Sequence, residues 1–205
     1  ADDIMLLAPT VTALQIMLVA CELELKSIGM QINVQKSACM RFGYRYDSPC
    51  SSIISLSGNT LKWVTSFKYL GIVIVSGKRF RCLFDACKKN FFGSFNAIFG
   101  RVGRFASEEV ILHLIRTKCI AVLLYAIEAC PLLPREIHSF EFVINRCLMK
   151  LFKTSSIVIV NECCDFFGFT PIRLTIETRT VKFLERYISS ENIVCSCLAR
   201  FATAL

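Results

Sequence analysis

Asp2 and Asp3 stand side by side directly ahead of the apolar run Ile4-Met5-Leu6-Leu7-Ala8. Adjacent carboxylates at the mouth of an apolar segment are costly unless a positive charge sits on them, so a metal ion or a basic ligand is the natural resident. Mg²⁺ suits such a pair, because it keeps several waters and binds through one or two carboxylates together with substrate phosphates. Two-metal phosphoryl transfer would need a further carboxylate from elsewhere in the fold. The plain alternative is an Asp-Asp pair in an exposed turn, where these residues are common. The twelve cysteines offer less. Cys163-Cys164 are adjacent and Cys195 and Cys197 are one residue apart, but no CxxC pair occurs and neither His113 nor His138 lies near a cysteine pair. A zinc site is therefore not expected. Most of the thiols read as small buried hydrophobes.

A second cluster is basic. Lys78, Arg79, Arg81, Lys88, Lys89, Arg101 and Arg104 face one acid, Asp85, across residues 78–104. The chain carries a net charge of +8, and its excess is concentrated. Residues 77–153 hold 13 basic and 6 acidic side chains, whereas 1–76 hold 6 and 5, and 154–205 hold 5 of each. Such a field attracts polyanions, of which nucleic acid is the commonest. Phe80, Phe84, Phe91, Phe92, Phe95 and Phe99 are interleaved with these cations. They are candidates for stacking on bases, but their helical spacing favours a core face. A solvated basic face without a ligand is the remaining alternative.

Elements must hold these groups in place. Asp3 to Ala8 reads as a buried strand ended by Pro9. Thr10 or Thr12 caps a helix whose apolar residues Val11, Leu14, Leu18, Cys21, Leu25 and Ile28 recur three and four apart, with Gly29 as its stop. Met30 to Val34 reads as a short extended segment, and residues 43–52 as a loop. Ile53 to Leu56 and Leu61 to Val64 form a hairpin around Ser57-Gly58-Asn59-Thr60. Phe67 to Val75 reads as one further strand with Gly71 inside it. After Gly77 the pattern is helical: Phe80 to Ile98, then Val110, Leu114, Lys118 and Ala121, followed by Leu123 to Ile127, in a second helix stopped by Pro131 and Pro134. A third helix spans Ile137 to Phe152. Ile157 to Val160 reads as a strand and Leu174 to Ile188 as a helix. The fold class is α+β.

At 54% hydrophobic residues the chain is not disordered. Its longest uncharged run, Ile4 to Cys21, is broken by Pro9, Thr10, Thr12 and Gln15, and Cys119 to Ile127 is shorter than the roughly 20 residues a span requires. No secretory signal is visible. The expected setting is intracellular, nuclear or cytoplasmic, without a membrane partner.

The motif order is more specific than any one motif. Ala1-Asp2-Asp3, then a helix, then Ile32-Asn33-Val34-Gln35-Lys36-Ser37, then Phe67-Lys68-Tyr69-Leu70-Gly71 resembles the reverse transcriptase of non-LTR (LINE-type) retrotransposons. That family has an aromatic-Ala-Asp-Asp hairpin, a Leu-Asn-x-x-Lys-Thr segment and a Phe-x-Tyr-Leu-Gly strand in this order. Ile32 replaces Leu and Ser37 replaces Thr. The resemblance implies a partial polymerase palm (an antiparallel sheet with a helix) over 1–76, a basic helical thumb over 77–153, and a C-terminal extension of unassigned role over 154–205. It implies RNA-directed DNA polymerase chemistry, with an RNA template and a DNA primer as partners. Asp2 and Asp3 then correspond to the Mg²⁺-holding carboxylates. Lys36 corresponds to the acid that helps protonate the leaving pyrophosphate. Tyr69, Leu70 and Gly71 correspond to the strand that positions the primer end, and the cations of 78–104 to the grip on the duplex. The family's aromatic before Ala1, its fingers and the upstream palm strand with its Asp are not in the sequence. The expectation is a fragment that is inactive alone. The alternative is a non-catalytic, basic nucleic-acid-binding module derived from such an element.

Overall fold

The computed structural model describes residues 3–103 and 105–202. The fold is α+β, and the chain divides into two compact units, 1–83 and 84–205.

The first unit is built on helix α1 (Val11–Ser27). Thr10 opens it, its Oγ1 accepting the Ala13 N–H at 3.1 Å. Gly29 closes it with a φ of +74°, a conformation that a side chain would strain. Leu18 is the buried residue of α1 and packs with Cys39, Ile53 and Leu61, while Val11, Leu14, Ile32, Val34 and Trp63 border this small core. Its sheet has the order β1-β3-β2, from β1 (Ala38–Cys39), β2 (Ile53–Ile54) and β3 (Thr60–Trp63). β2 and β3 form the expected antiparallel hairpin, with Ile53 opposite Leu61, and β1 adds in parallel to β3.

A second sheet is an antiparallel meander of β4 (Ser66–Tyr69), β5 (Ile72–Val75) and β6 (Arg81–Leu83). The single strand expected over Phe67 to Val75 is thus two strands. Leu70 and Gly71 both take positive φ, +46° and +86°, so the chain reverses in a two-residue turn whose twist matches paired strands. Residues 3–8 form no strand. Ile4, Met5 and Leu7 are 56%, 45% and 75% exposed, because no neighbour offers this segment a ladder of hydrogen bonds. Residues 30–34 are likewise irregular and lead into a turn at 34–36.

The second unit is helical. α2 (Asp85–Val102) buries Cys87, Phe91 and Phe95, and Phe84 at its N-cap meets Phe140 edge-on at 5.4 Å. The helical reading of residues 80–83 is corrected: Arg81 lies in β6, and α2 begins only at Asp85. α3 (Glu108–Leu114) runs through a π-helical turn, Ile115–Cys119, into α4 (Ile120–Leu123). Helix is found over 108–123 with Ile111, Leu112, Ile115 and Cys119 buried and Val110, Lys118 and Ala121 exposed, but its expected continuation through Leu123 to Ile127 is interrupted by Ala126 at a φ of +55°. By length and composition Glu108–Ala129 would also pass for a membrane span, although many of its apolar residues are buried inside this unit.

α5 (Pro134–Leu151) starts at a proline that had been read as a stop, which suits the first helical position because no intrahelical N–H is needed there. Glu136 reaches back to the Leu133 N–H at 2.8 Å. Phe140, Val143, Ile144, Cys147, Leu148 and Leu151 form its buried face. Residues 157–160 belong to a helix, α6 (Ile157–Phe166), rather than a strand. Only Val160 of that run is buried, and no strand among the described residues of this unit is available to pair with it. α7 (Ile172–Ile188) packs on α5 and is followed by α8 (Ile193–Ala202).

Candidate functional site

Asp2 lies outside the described residues. Asp3 is exposed on irregular chain. Among the described residues no three or more His, Cys, Asp or Glu side chains cluster to hold a metal, so Asp3 alone does not make a Mg²⁺ site. The described cysteines likewise assemble no zinc set.

Lys36 is exposed, and the reason for its spacing from Asn33 is local. Its backbone N–H donates to both the Asn33 carbonyl, at 3.1 Å, and the Asn33 Oδ1, at 3.2 Å. The Asn side chain thus caps the turn that presents the lysine, a role Asn fills readily because it mimics a backbone acceptor. The Lys36 ammonium makes no ion pair among the described residues.

Tyr69, Leu70 and Gly71 come together at the tip of the β4–β5 hairpin. Tyr69 is half-buried and opposite Ile72, whereas Leu70 is 57% exposed in the left-handed region. That conformation costs a non-glycine residue roughly 1–2 kcal/mol, and an exposed side chain regains little of it by packing. Backbone strain of this kind is concentrated at contact sites.

The described cations of 78–104 are divided between the two units. Lys78, Arg79 and Arg81 are exposed around β6 in the first unit. Lys88, Lys89 and Arg101 are on α2 in the second, and Arg104 lies outside the described residues. Lys88 is half-buried, its Nζ 3.8 Å from Asp85 and 5.5 Å from the Phe140 ring centre. Lys89 and Arg101 are both exposed but lie roughly 120° apart around the helix and about 18 Å apart along it. The interleaved phenylalanines are mostly core: Phe84, Phe91 and Phe95 are 3%, 0% and 1% exposed. Phe95 stacks on Phe99 at 5.5 Å, and Phe80, the more exposed ring, leans on Phe42 at 5.6 Å.

Other cations of the middle segment were not singled out from sequence. Arg116 lies between two open hollows of about 360 and 370 Å³, the first including His113 and Phe167, the second Phe169 and Arg179. Its guanidinium donates to the Gly168 carbonyl at 2.8 Å and lies 5.6 Å from the Phe169 ring centre. Arg179 is held by both carboxylate oxygens of Glu128 at 3.1 and 3.3 Å. These arginines tie the fold together. Arg135, Arg146 and Lys150 are exposed on α5, and the only advance signal for them was the helical spacing of the apolar residues opposite. Among the thiols, burial and the neighbouring Cys119 push Cys147 up to about 12, against a smaller opposing pull from Lys150. It is inert packing rather than a nucleophile. Set against known proteins, the chain matches no family model, no curated protein and no solved structure.

Proposed function

We propose that residues 1–76 supply the C-terminal part of the palm, and 77–153 the thumb, of a LINE-type RNA-directed DNA polymerase. The observation that carries this reading is the ordered set Ala1-Asp2-Asp3, Asn33-x-x-Lys36 and Phe67-x-Tyr69-Leu70-Gly71. Two local geometries support it. Asn33 holds the turn that displays Lys36, which explains why those two residues are three apart. The strained, exposed Leu70-Gly71 turn presents backbone at a hairpin tip, where a primer strand could be approached closely.

In this reading Asp2 and Asp3 would hold Mg²⁺, which neutralises developing phosphate charge, together with a carboxylate from another palm strand. Lys36 donates a proton from its ammonium to the departing pyrophosphate, and the exposed cations of 78–101 bind duplex phosphates. The test places this chain as the C-terminal part of an otherwise intact polymerase of the family. Asp2→Asn or Asp3→Asn should abolish primer extension while leaving primer–template binding intact. Retained extension removes the assignment.

A second reading is a non-catalytic nucleic-acid-binding module, favoured by the many exposed cations of the middle segment that make no ion pair among the described residues. It expects binding by the 205-residue chain that falls steeply with salt and weakens for Lys89→Ala.

A further inference from the structure

The outward face of α5 carries cations that the second reading counts, in an arrangement that it does not use. Its buried residues centre on Ile144 and Cys147, and Phe142 points almost opposite them, 64% exposed. At about 100° per residue, Arg135 and Arg146 fall within roughly 40° of Phe142, two turns before it and one turn after. Both arginines are exposed, and neither makes an ion pair among the described residues. Lys150 continues the row one turn on, its Nζ bonded to Asn96 Oδ1 at 3.2 Å and 5.0 Å from the Phe99 ring centre.

The helix's own acids do not cancel this charge. Glu136 is used at the N-terminus on the Leu133 N–H. Glu141 is shared between His138 Nδ1 at 2.9 Å and Arg173 Nε, from α7, at 3.1 Å. What remains is an exposed aromatic ring flanked along the helix by unneutralised guanidinium groups.

We propose that this stripe binds single-stranded nucleic acid, with one base on the face of Phe142 and the neighbouring phosphates on Arg135 and Arg146. The proposal deepens the nucleic-acid-binding reading and does not depend on the polymerase assignment; equal binding of base-bearing and abasic strands would remove this site while leaving general nucleic-acid binding in place. Charge complementarity selects a polyanion. The central ring selects one whose bases are free, because a duplex presents phosphates and groove edges to a helix and keeps its base faces stacked inside. Arg135 and Arg146 are about 16 Å apart by helical rise, a span of roughly five stacked nucleotides. A bare cationic face would need no exposed phenylalanine at its centre.

The test uses the full chain, a fluorescein-labelled twelve-nucleotide oligo(dT) and an abasic oligomer of the same length, read by anisotropy. The wild type should bind oligo(dT) at least about 5-fold more tightly than the abasic strand, the lower end of base–aromatic stacking. Phe142→Ala and Phe142→Leu should erase that difference, and Phe142→Tyr should keep it. The double variant Arg135→Gln/Arg146→Gln should weaken both strands alike and lower the salt slope by about 1.4, as two phosphate contacts on a single strand require. Far from the core, these substitutions should leave the circular dichroism unchanged. Equal affinity of the wild type for the two strands overturns the proposal. So does a base preference that survives Phe142→Ala, or a double variant that binds like the wild type. Asp3→Asn should leave every one of these readouts unchanged, so loss of the polymerase assignment and loss of this site are separately visible.

Discussion

Replacing Gln15 should open the edge of the first sheet. β2 is an outer strand, and among the described residues no further strand covers the outward N–H and C=O of Ile54. Gln15, on α1, takes that place: its Nε2 donates to the Ile54 carbonyl at 2.7 Å, and its Oε1 accepts the Ile54 N–H at 2.8 Å. Two turns further along the helix, Glu22 accepts the Leu56 N–H at 2.9 Å. Gln15→Ala removes both bonds at Ile54. Each contributes about 0.5–1.5 kcal/mol net, at the lower end here because water reaches the site. Alanine returns a few tenths through helix propensity, leaving a loss of about 0.7 kcal/mol. With a urea slope of ~1 kcal/mol/M for so small a unit, the midpoint should fall by about 0.7 M.

Trp63 is the only tryptophan and sits in β3 of the same unit, its indole N–H bonded to the Ser51 carbonyl at 3.1 Å. Its fluorescence therefore follows this unit's unfolding. Gln15→Glu sharpens the test. Its carboxylate still accepts the Ile54 N–H but faces the Ile54 carbonyl with no proton to donate. The protonated form restores the donor, so folding raises the pKa of the new group above about 4.3, its ordinary value. Stability gained in this way is complete below that value and is lost as pH rises through the folded one. The midpoint gap to wild type should thus be wide at pH 7 and narrow near pH 4. An alanine midpoint within ~0.2 M of wild type, or a glutamate gap that ignores pH, would refute the edge-capping argument.

The strained turn and the buried thiol can be probed in the same way. Leu70→Asn should stabilise the first unit by about 0.5–1 kcal/mol in the same urea assay, since Asn adopts positive φ more readily and the exposed Leu70 side chain has little packing to lose. Leu70→Ile should destabilise it, because β-branching is least tolerated there. Iodoacetamide at pH 8, followed by mass mapping, should modify the exposed Cys197 readily and leave Cys147 untouched until the protein unfolds. Because burial raises Cys147, alkali should also weaken the fold: its contribution is intact below the ordinary thiol value and declines as pH climbs towards about 12.

The long elements were legible because their signals are local. Thr10, Gly29 and the apolar spacing between them define α1, and the turn residues at 57–60 define the β2–β3 hairpin. The errors came where a partner decides the outcome. Ile4 to Ala8 and Ile157 to Val160 have strand composition but no neighbouring strand to complete them. Leu70-Gly71 hid a reversal because leucine is a poor marker for positive φ. For the site, the three-residue spacing of Asn33 and Lys36 is visible in the sequence, but the turn that Asn33 caps is not, since residues 30–34 read as extended. The division of the 78–104 cations between the surroundings of a strand and different faces of a helix emerges only in the fold. The α5 row was in the sequence all along, at spacings of seven and four residues, but stands out only once the opposite face is known to be buried.

The wide turn at Ile115–Cys119 reconciles two buried stripes that an uninterrupted α-helix would separate. Extrapolated at about 100° per residue, the buried positions 111, 112 and 115 and the buried positions 120 and 123 lie on stripes roughly 100° apart. One extra residue, absorbed in the π-helical turn, brings both stripes back to the same core. The helix therefore carries a spare position. Homologous chains shortened by one residue at Thr117 or Lys118 would wind as an uninterrupted α-helix with both stripes aligned, so length variation is to be expected at this point. Loss at Arg116 would instead release Gly168 and Phe169, which makes that arginine the fixed member of an otherwise expendable turn.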